Sequence, residues 1–230
     1  MLKMKELKNQ KHMNIFVAVP MNRPVEFRTF ESFVRLANLR GVHSYMFGFT
    51  QNSLVYDARE TLVNQFLKSP CDAIMFIDSD MVFHPQSVEI LSYHDKPFIT
   101  AKAFKRVSPY QPCFYNKIEI QADNQIYLES PVEYPNGLMK IDGAGLACAL
   151  IKREAFEQIE KPYFFPTPNL GEDLSFCLKL KNAGVEMFVD LSLQFGHLTQ
   201  EVILEDHFQK IYQAEKAKGN EKNVFAEGAK

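Results

Sequence analysis

The first hundred residues alternate short apolar runs with segments of helical periodicity. Apolar, strand-like runs lie at 14–19, 42–49, 72–77 and 98–102, and helical patterns lie between them at 27–40, 57–67 and 85–93. Parallel strands need a crossover connection, which is usually a helix. The alternation therefore predicts βαβ units, and with them an α/β fold whose central sheet is mostly parallel and flanked by helices.

The pattern changes after residue 107. Short alternating pieces broken by Pro and Asn fill residues 107–137 and predict a small β-hairpin lobe on one edge. Further on, strands are predicted at 138–151 and 185–190, and helices at 153–159, 172–183 and 201–218. Neither a repeat nor a linker divides the chain. We therefore expect one domain over residues 1–218 and a disordered tail at 219–230.

Composition excludes several classes of protein. A formal net charge of −2 argues against holding nucleic acid through a broad positive surface. The four cysteines contain no CxxC pair, which favours free thiols in a reducing compartment. The basic start MLKMKELKNQKHM lacks the apolar segment of a signal peptide, and no apolar run approaches the ~20 residues that span a bilayer. These features predict a cytoplasmic protein without stable membrane insertion.

An acidic triplet, Asp78-Ser79-Asp80, follows the apolar strand at 72–77. In open α/β sheets ligands bind outside the carboxyl ends of the strands, which is where this triplet lies. Residues two apart on an extended segment point to the same side, so both carboxylates can face one divalent cation. Oxygen ligands of this kind suit Mg²⁺ or Mn²⁺. A polar turn that ends a strand is the simpler alternative.

The surroundings of the triplet carry a resemblance to a known family. The segment FIDSDMVFHP is similar to the DxD segment of glycosyltransferases with the GT-A fold, particularly the family 2-like enzymes. Four further segments resemble that family in the same order: VAVP, YDARETLV, IDGAGLACALIKREAFEQI and LGEDLSFCLKLKNAGVEMFVD. Together they span about residues 14–199. One departure is Glu60, which stands where the family usually has Asn after the Arg at position 59.

The resemblance implies a nucleotide-sugar donor, with a UDP-sugar first, and Mn²⁺ or Mg²⁺ as cofactor. It implies that Asp173 is the general base of an inverting transfer and that Glu172 orients the acceptor, although capping of the helix N-terminus also explains a carboxylate there. Asp80 and His197 are the expected metal ligands, with Asp78 facing the metal or the donor. The remaining candidates for donor binding are Pro20, Asn22, Arg23, Arg59, Asp78, Ser79, Lys102, Gly143, Ala144 and Gly145.

Several alternatives stay open from sequence. A retaining transfer would leave Glu172 and Asp173 as acceptor ligands. A sugar-1-phosphate nucleotidyltransferase shares the architecture, but VPMNRPVEF is not the Gly-rich GxGTR loop of that class. A non-catalytic module that binds nucleotide-sugar or glycan would be favoured by loss of the Glu-Asp pair or the late His, and both are present. P-loop and Rossmann motifs are missing.

The acceptor has no legible motif. Compact transferases of this kind occur in bacteria and phages, where the acceptor is a glycan, a protein or a hydroxylated DNA base. The acidic net charge disfavours DNA, whereas Lys102, Lys105 and Arg106 provide a local basic strip.

Overall fold

The computed structural model describes Leu7 and residues 9–21, 24–51, 54–121, 125–167, 169–199 and 202–220. The strands within these ranges are β1 Asn14–Pro20, β2 Ser44–Thr50, β3 Ala73–Ile77, β4 Met81–Val82, β5 Phe98–Lys102, β6 Phe114–Tyr115, β7 Lys117–Ile120, β8 Ile126–Glu129, β9 Leu138–Ile141, β10 Gly143–Ala144, β11 Cys148–Lys152, β12 Met187–Gln194, β13 Gly196–Leu198 and β14 Val202–Ile203. The helices are α1 Phe27–Ala37, α2 Val55–Lys68, α3 Ser87–Tyr93, α4 Arg153–Glu157, α5 Glu172–Asn182 and α6 Glu205–Ala217.

A seven-stranded sheet in the order β2-β1-β3-β11-β5-β12-β9 forms the centre of the chain. β1 is parallel to β2 and β3, and β5 is parallel to β12. β11 lies antiparallel between β3 and β5, and β9 is antiparallel to β12. Strands β2, β1, β3, β5 and β12 thus run in one direction, as predicted, but the neighbouring pairs are a mixture of parallel and antiparallel.

Both faces of this sheet are covered. On one face, Phe16, Ile74 and Phe76 pack with Leu62 and Phe66 of α2. On the other face, Ile15, Val17 and Met75 pack with Phe33 and Leu36 of α1. Successive side chains of a strand point to opposite faces, so a strand buried on both faces reads as a continuous apolar run. This explains why β1 and β3 could be located from sequence.

A small three-stranded sheet lies beyond the carboxyl ends of the main strands. β13 pairs antiparallel with β4 and with β14, and the Leu198 N–H donates to the Asp80 carbonyl oxygen at 2.8 Å. β12 runs past its predicted end and leads into β13. The predicted last helix begins at Glu205 rather than 201, because β14 precedes it. The small sheet was not predicted, since strands of two or three residues have no readable periodicity.

Strands β7 and β8 pair antiparallel between residues 107 and 137. Ile118 and Ile126 of this pair pack with Leu170 and with Leu174 of α5. The pair therefore lies against the N-terminal half of α5. Across the described ranges, no helix has both the length and the apolar character needed to cross a membrane.

One glycine has a different role from the one that its position predicts. The helix predicted at 27–40 would place Gly41 at its C-terminal cap, but α1 ends at Ala37 with Asn38 as its C-cap. A Cβ atom at Gly41 would lie 1.6 Å from Glu89 Oε1, and that same oxygen accepts a hydrogen bond from the Val42 N–H at 2.7 Å. Close approach of the buried Glu89 carboxylate requires the glycine. Gly184, with φ of 78°, does follow the end of α5 as predicted.

A buried histidine links three segments beneath α3. His43 Nδ1 accepts a hydrogen bond from the Met13 N–H at 3.1 Å, and His43 Nε2 lies 2.7 Å from Ser92 Oγ. Since Nδ1 is an acceptor, the proton resides on Nε2. Burial lowers the pKa of His43 to about 4, helped by the neighbouring His12. Protonation at Nδ1 would also place its N–H directly opposite the Met13 N–H, so this hydrogen bond would be lost.

Because the pKa of His43 is lowered by folding, we expect the protein to lose stability in mild acid. Below its unfolded pKa of about 6.5, the unfolded state binds a proton that the folded state rejects until about pH 4. The free energy of unfolding should therefore fall by about 2 kcal/mol between pH 7 and pH 5 on account of His43. Urea unfolding at both pH values measures the fall. His43→Gln should lose this part of the pH dependence, whereas replacing the exposed His84 by Gln should retain it. Equal losses in wild type and His43→Gln would contradict the assignment.

Candidate active site

The acidic triplet lies where β3 leaves the sheet. The Asp78 N–H donates to the Ala147 carbonyl oxygen at 3.2 Å, and the Met81 N–H donates back to the Asp78 carbonyl oxygen at 3.2 Å. The chain thus turns tightly through Ser79, which is buried, and enters β4. This turn fixes the backbone of both carboxylates at the edge of the sheet where β1 also ends.

Arg59 of α2 is the buried cation of the site. Its side chain is 4% exposed, its Nη2 donates to Asp78 Oδ1 at 3.1 Å, and its Nε lies 3.8 Å from Glu172 Oε1. The guanidinium also lies over the Phe76 ring, 5.7 Å from its centroid. Nε and Nη1 are buried without a hydrogen-bond acceptor. Because buried donors are rarely left unsatisfied, these two nitrogens indicate where an anionic or carbonyl oxygen of a ligand would bind.

The carboxylates around Arg59 are not equivalent to carboxylates in water. Burial raises the pKa of Asp78, Arg59 opposes that rise, and the neighbouring Asp80 and Asp173 add to it. Burial likewise raises the pKa of Glu172, with Arg59 opposing and Asp173 adding to the rise. Several carboxylates therefore share a partly desolvated space, where an additional cation is favourable.

Asp80 and His197 converge, as the resemblance implied. His197 Nε2 lies 3.5 Å from Asp80 Oδ1, and His197 Nδ1 lies 2.8 Å from the Phe104 carbonyl oxygen. A carbonyl accepts only, so Nδ1 carries a proton and directs the Nε2 lone pair of a neutral ring toward Asp80. A proton or a divalent cation between Nε2 and Oδ1 satisfies both atoms. Pairing of β13 with β4 places the two residues side by side.

Arg106 also reaches this carboxylate, a contact that sequence reasoning missed. Its Nη1 donates to Asp80 Oδ2 at 2.8 Å, and its side chain is 40% exposed. The sequence suggested Arg106 only as a phosphate or acceptor ligand. Nothing in the spacing of the two residues, which lie on separate loops, signals the contact. Asp80 therefore presents one oxygen to Arg106 and the other to His197.

The donor set fits a cation that is shared with a substrate. Among the residues that the structure describes, no three His, Cys, Asp or Glu side chains are grouped to hold a metal ion by themselves. A cation between Asp80 and His197 would have these two side chains as ligands, because Asp78 is paired with Arg59. Mg²⁺ and similar cations are commonly bound through one or two carboxylates together with substrate phosphates and water. The second nitrogen of His197 is fixed by a carbonyl, as is usual for a metal-ligating histidine.

Glu172 and Asp173 begin α5. Asp173 Oδ1 accepts a hydrogen bond from the Leu174 N–H at 2.7 Å, which satisfies a free donor of the helix N-terminus. A Cβ atom at Gly145 would lie 3.4 Å from Asp173 Oδ2, so the Gly145 backbone runs directly beside this carboxylate. Asp173 and Asp78 are close enough to raise the pKa of Asp78. The start of α5 thus faces the acidic triplet across the carboxyl edge of the sheet.

The other predicted donor-binding residues divide into three groups. Pro20 ends β1 opposite Thr50 at the same sheet edge, whereas Asn22 and Arg23 lie outside the described residues. Gly143 and Ala144 are buried against α5: the Cys177 Sγ lies 3.4 Å from the Ala144 carbonyl oxygen. Lys102 is buried and its Nζ pairs with a carboxylate oxygen of Glu205, so in this structure it is bound to α6.

The contacts of Glu60 account for its presence where the family pattern usually has Asn. Its Oε2 accepts hydrogen bonds from the Tyr163 N–H at 2.8 Å and the Phe164 N–H at 3.0 Å. Phe164 in turn packs edge-to-face on Phe76, with ring centroids 5.7 Å apart. Glu60 therefore attaches the loop that leads to α5 onto α2. Its neighbour Arg59 is turned to the site, so adjacent residues of one helix hold the loop and the acidic cluster.

Comparison with known proteins bears on the fold. No family model matches the chain, and no curated protein matches it. The chain is similar to the crystal structure of A197 from STIV, with a TM-score of 0.60 and 21% identity, over 84% of this chain and 91% of that one. It is also similar to GalNAc-T7 solved with UDP, GalNAc and Mn²⁺, with a TM-score of 0.50 and 9% identity, over 81% of this chain and 43% of that one.

Likenesses at these identities show the fold. The chain has a GT-A-like fold, with a large central sheet and flanking helices, as its sequence motifs implied. These likenesses do not distinguish family 2 from other families with this fold. What the chain does is therefore argued from its own side chains.

The two glycines that flank Ala144 should respond differently to the same substitution. A Cβ atom at Gly143 would lie 2.7 Å from Ile118 Cδ1 and 2.8 Å from Cys177 Cβ, whereas at Gly145 the nearest atom is 3.4 Å away. Gly143→Ala should therefore lower the free energy of unfolding by about 1–3 kcal/mol, because the strand is forced off α5. Gly145→Ala should change it by less than about 1 kcal/mol. Urea unfolding of both variants measures this, and equal effects would contradict a packing role for Gly143.

Proposed function

We propose that this protein is a metal-dependent glycosyltransferase that moves a sugar from a nucleotide-diphosphate sugar to a hydroxyl group. The observation that carries the proposal is the convergence of Asp80 and His197 beside a buried Arg59 with two unsatisfied donors, at the carboxyl edge of a GT-A-like sheet. GalNAc-T7 was solved with UDP and Mn²⁺, which makes a UDP-sugar and Mn²⁺ the first donor and cation to test.

The donor would be bound mainly by Arg59 and Asp78. Nε and Nη1 of Arg59 are available to donate to diphosphate or carbonyl oxygens, while Asp78 keeps the guanidinium in place. A divalent cation held by Asp80 and His197 would neutralise the charge that develops on the departing diphosphate. Pro20, Asn22, Arg23, Ser79 and Gly145 remain proposed donor contacts around this centre.

Transfer would proceed with inversion. Asp173 accepts the proton of the acceptor hydroxyl, whose oxygen forms a bond to the anomeric carbon. The bond from that carbon to the diphosphate oxygen breaks on the opposite face, and its electron pair leaves with the nucleotide. Glu172, with a pKa raised by burial, lies beside Asp173 and would orient the acceptor. The pair β7–β8 and helix α6 flank this edge and are proposed to contact an acceptor glycan, protein or hydroxylated DNA base.

Donor binding is the first test. Calorimetry with UDP-, GDP-, CMP- and dTDP-sugars, with and without Mn²⁺, should show binding of one of these donors that strengthens at least tenfold with the cation. Asp80→Ala should remove this strengthening, since one of the two protein ligands is lost. Glu186→Ala, which removes an exposed carboxylate that pairs with Lys140, should retain it. If no donor binds in a cation-dependent way, the transferase proposal is wrong.

The role of Asp173 is tested separately from binding. Asp173→Asn should leave donor affinity within about threefold of wild type and lower turnover by about 10²–10⁴-fold, which is the usual contribution of a general base. Release of UDP from the sugar donor, with water as acceptor, gives an assay that needs no knowledge of the natural acceptor. Unchanged turnover would exclude Asp173 as the base. Anomer-specific analysis of the released sugar distinguishes inversion from retention.

A further inference from the structure

The central sheet ends in an uncharged edge strand. β2 has the sequence SYMFGFT, and it pairs with β1 along one side only. No described strand pairs with its other side. Natural proteins usually protect such an edge with Lys, Pro, a bulge or a covering loop, because unpaired N–H and C=O groups attract another strand. β2 contains neither a charged residue nor a Pro, and its register with β1 has no irregularity.

Exposed apolar side chains concentrate around this strand. Fifteen large apolar side chains are exposed among the described residues, and seven of them lie in one stretch of sequence. We name these seven the edge patch: Phe27, Phe30 and Val34 of α1, Met46 and Phe49 of β2, Leu54, and Val55 of α2. Their exposure ranges from 41% to 77%. Scattered exposed apolar residues are ordinary, whereas a concentration of this kind marks an interaction surface.

The helix and strand parts of the patch are connected. Phe30 and Phe33 are neighbours on one side of α1, being three residues apart. Phe33 contacts Phe47 of β2 edge-to-face, with ring centroids 6.4 Å apart, and Phe47 stacks on Phe49 at 6.2 Å. A row of aromatic rings thus runs from the outer face of α1 to the edge of the sheet. Phe30 and Phe49 are thereby joined on the face of the sheet that α1 covers, whereas Met46, Leu54 and Val55 lie toward the face that α2 covers.

The size of the patch suits a stable interface. A large side chain has about 200 Å² of surface, so the exposed fractions of these seven residues leave roughly 700 Å² of apolar surface in water. A stable protein interface buries about 800 Å² on each partner. The edge patch supplies most of this area before the backbone of β2 and a polar rim are counted.

We propose that the edge patch is the interface of a homodimer in which two β2 strands pair antiparallel across a two-fold axis. A two-fold interface brings the same surface of both subunits together, so that surface must be complementary to itself. β2 meets this condition because alternate residues of an uncharged strand offer both donors and acceptors along the open side.

The proposed dimer leaves the candidate active site open. β2 and β1 separate the open edge from β3, which carries the acidic triplet at its end. None of the residues of the edge patch contributes to the cluster of Arg59, Asp78, Asp80, Asp173 and His197. The dimer therefore does not rest on the proposed function.

Sedimentation velocity of the purified full chain at 1–50 μM tests the proposal. Wild type should sediment with twice the chain mass of 26.5 kDa. Met46→Lys and Phe30→Glu should each weaken association by at least 100-fold, since each buries a charge in the interface. Leu128→Lys, on the exposed part of β8 outside the patch, is the matched control and should remain dimeric. Circular dichroism should show that all three variants are folded.

The arrangement of the strands has its own test. Full overlap of two antiparallel β2 strands places Ser44 opposite Thr50 of the second copy. The variant Ser44→Cys/Thr50→Cys should form a disulfide-linked dimer under mild oxidation, while wild type should not, because Cys71, Cys148 and Cys177 are buried and Cys113 is partly buried away from the patch. A monomeric wild type at 50 μM would overturn the proposal. So would charge variants that stay dimeric, or a monomer that binds neutral lipid vesicles through the same residues.

Discussion

A buried guanidinium holds the two acidic segments of the site in one place. Arg59 lies between Asp78, which ends a strand in the first half of the chain, and Glu172, which begins a helix in the second half. A buried charge is tolerated only when it is paired, and a shared cation lets carboxylates on separate elements approach one another. The distances from Arg59 to Asp78 and Glu172 therefore set the spacing of the acidic cluster. Nε and Nη1 of Arg59 are buried without a hydrogen-bond acceptor.

Glu60, the neighbour of Arg59, positions a second part of the site. Glu60 holds the loop before α5 through two backbone N–H groups, so one turn of α2 positions both the start of α5 and the end of β3. On the opposite side, β13 pairs with β4 and brings His197 to Asp80. Two contacts thus hold the turn after β3: the contact of Arg59 with Asp78, and the pairing of β13 with β4.

The core of the fold was predictable because burial on two faces leaves a readable signal. β1 and β3 are continuous apolar runs, and the helices between them show helical periodicity. The direction of β11 was not predictable, since an apolar run carries no information on whether its neighbours are parallel. The strands β4, β13 and β14 were too short to detect, yet they bring Asp80 and His197 together. Their convergence was expected from the resemblance to GT-A enzymes, and not from any local pattern.

The sequence does not predict which carboxylate each basic residue of the site pairs with. Lys102 was expected near the donor, but its ammonium group pairs with one carboxylate oxygen of Glu205, which is far along the chain. The Tyr134 hydroxyl donates to the other carboxylate oxygen of Glu205. Arg106, four residues later, takes the place beside Asp80 instead. Lys102 ends β5 and Arg106 lies in the loop after it, and the two carry the same charge; Glu205 of α6 pairs with the lysine and not with the arginine. Because Glu205 of α6 pairs with the buried lysine, the exposed Arg106 side chain balances the carboxylate that the proposed cation would share.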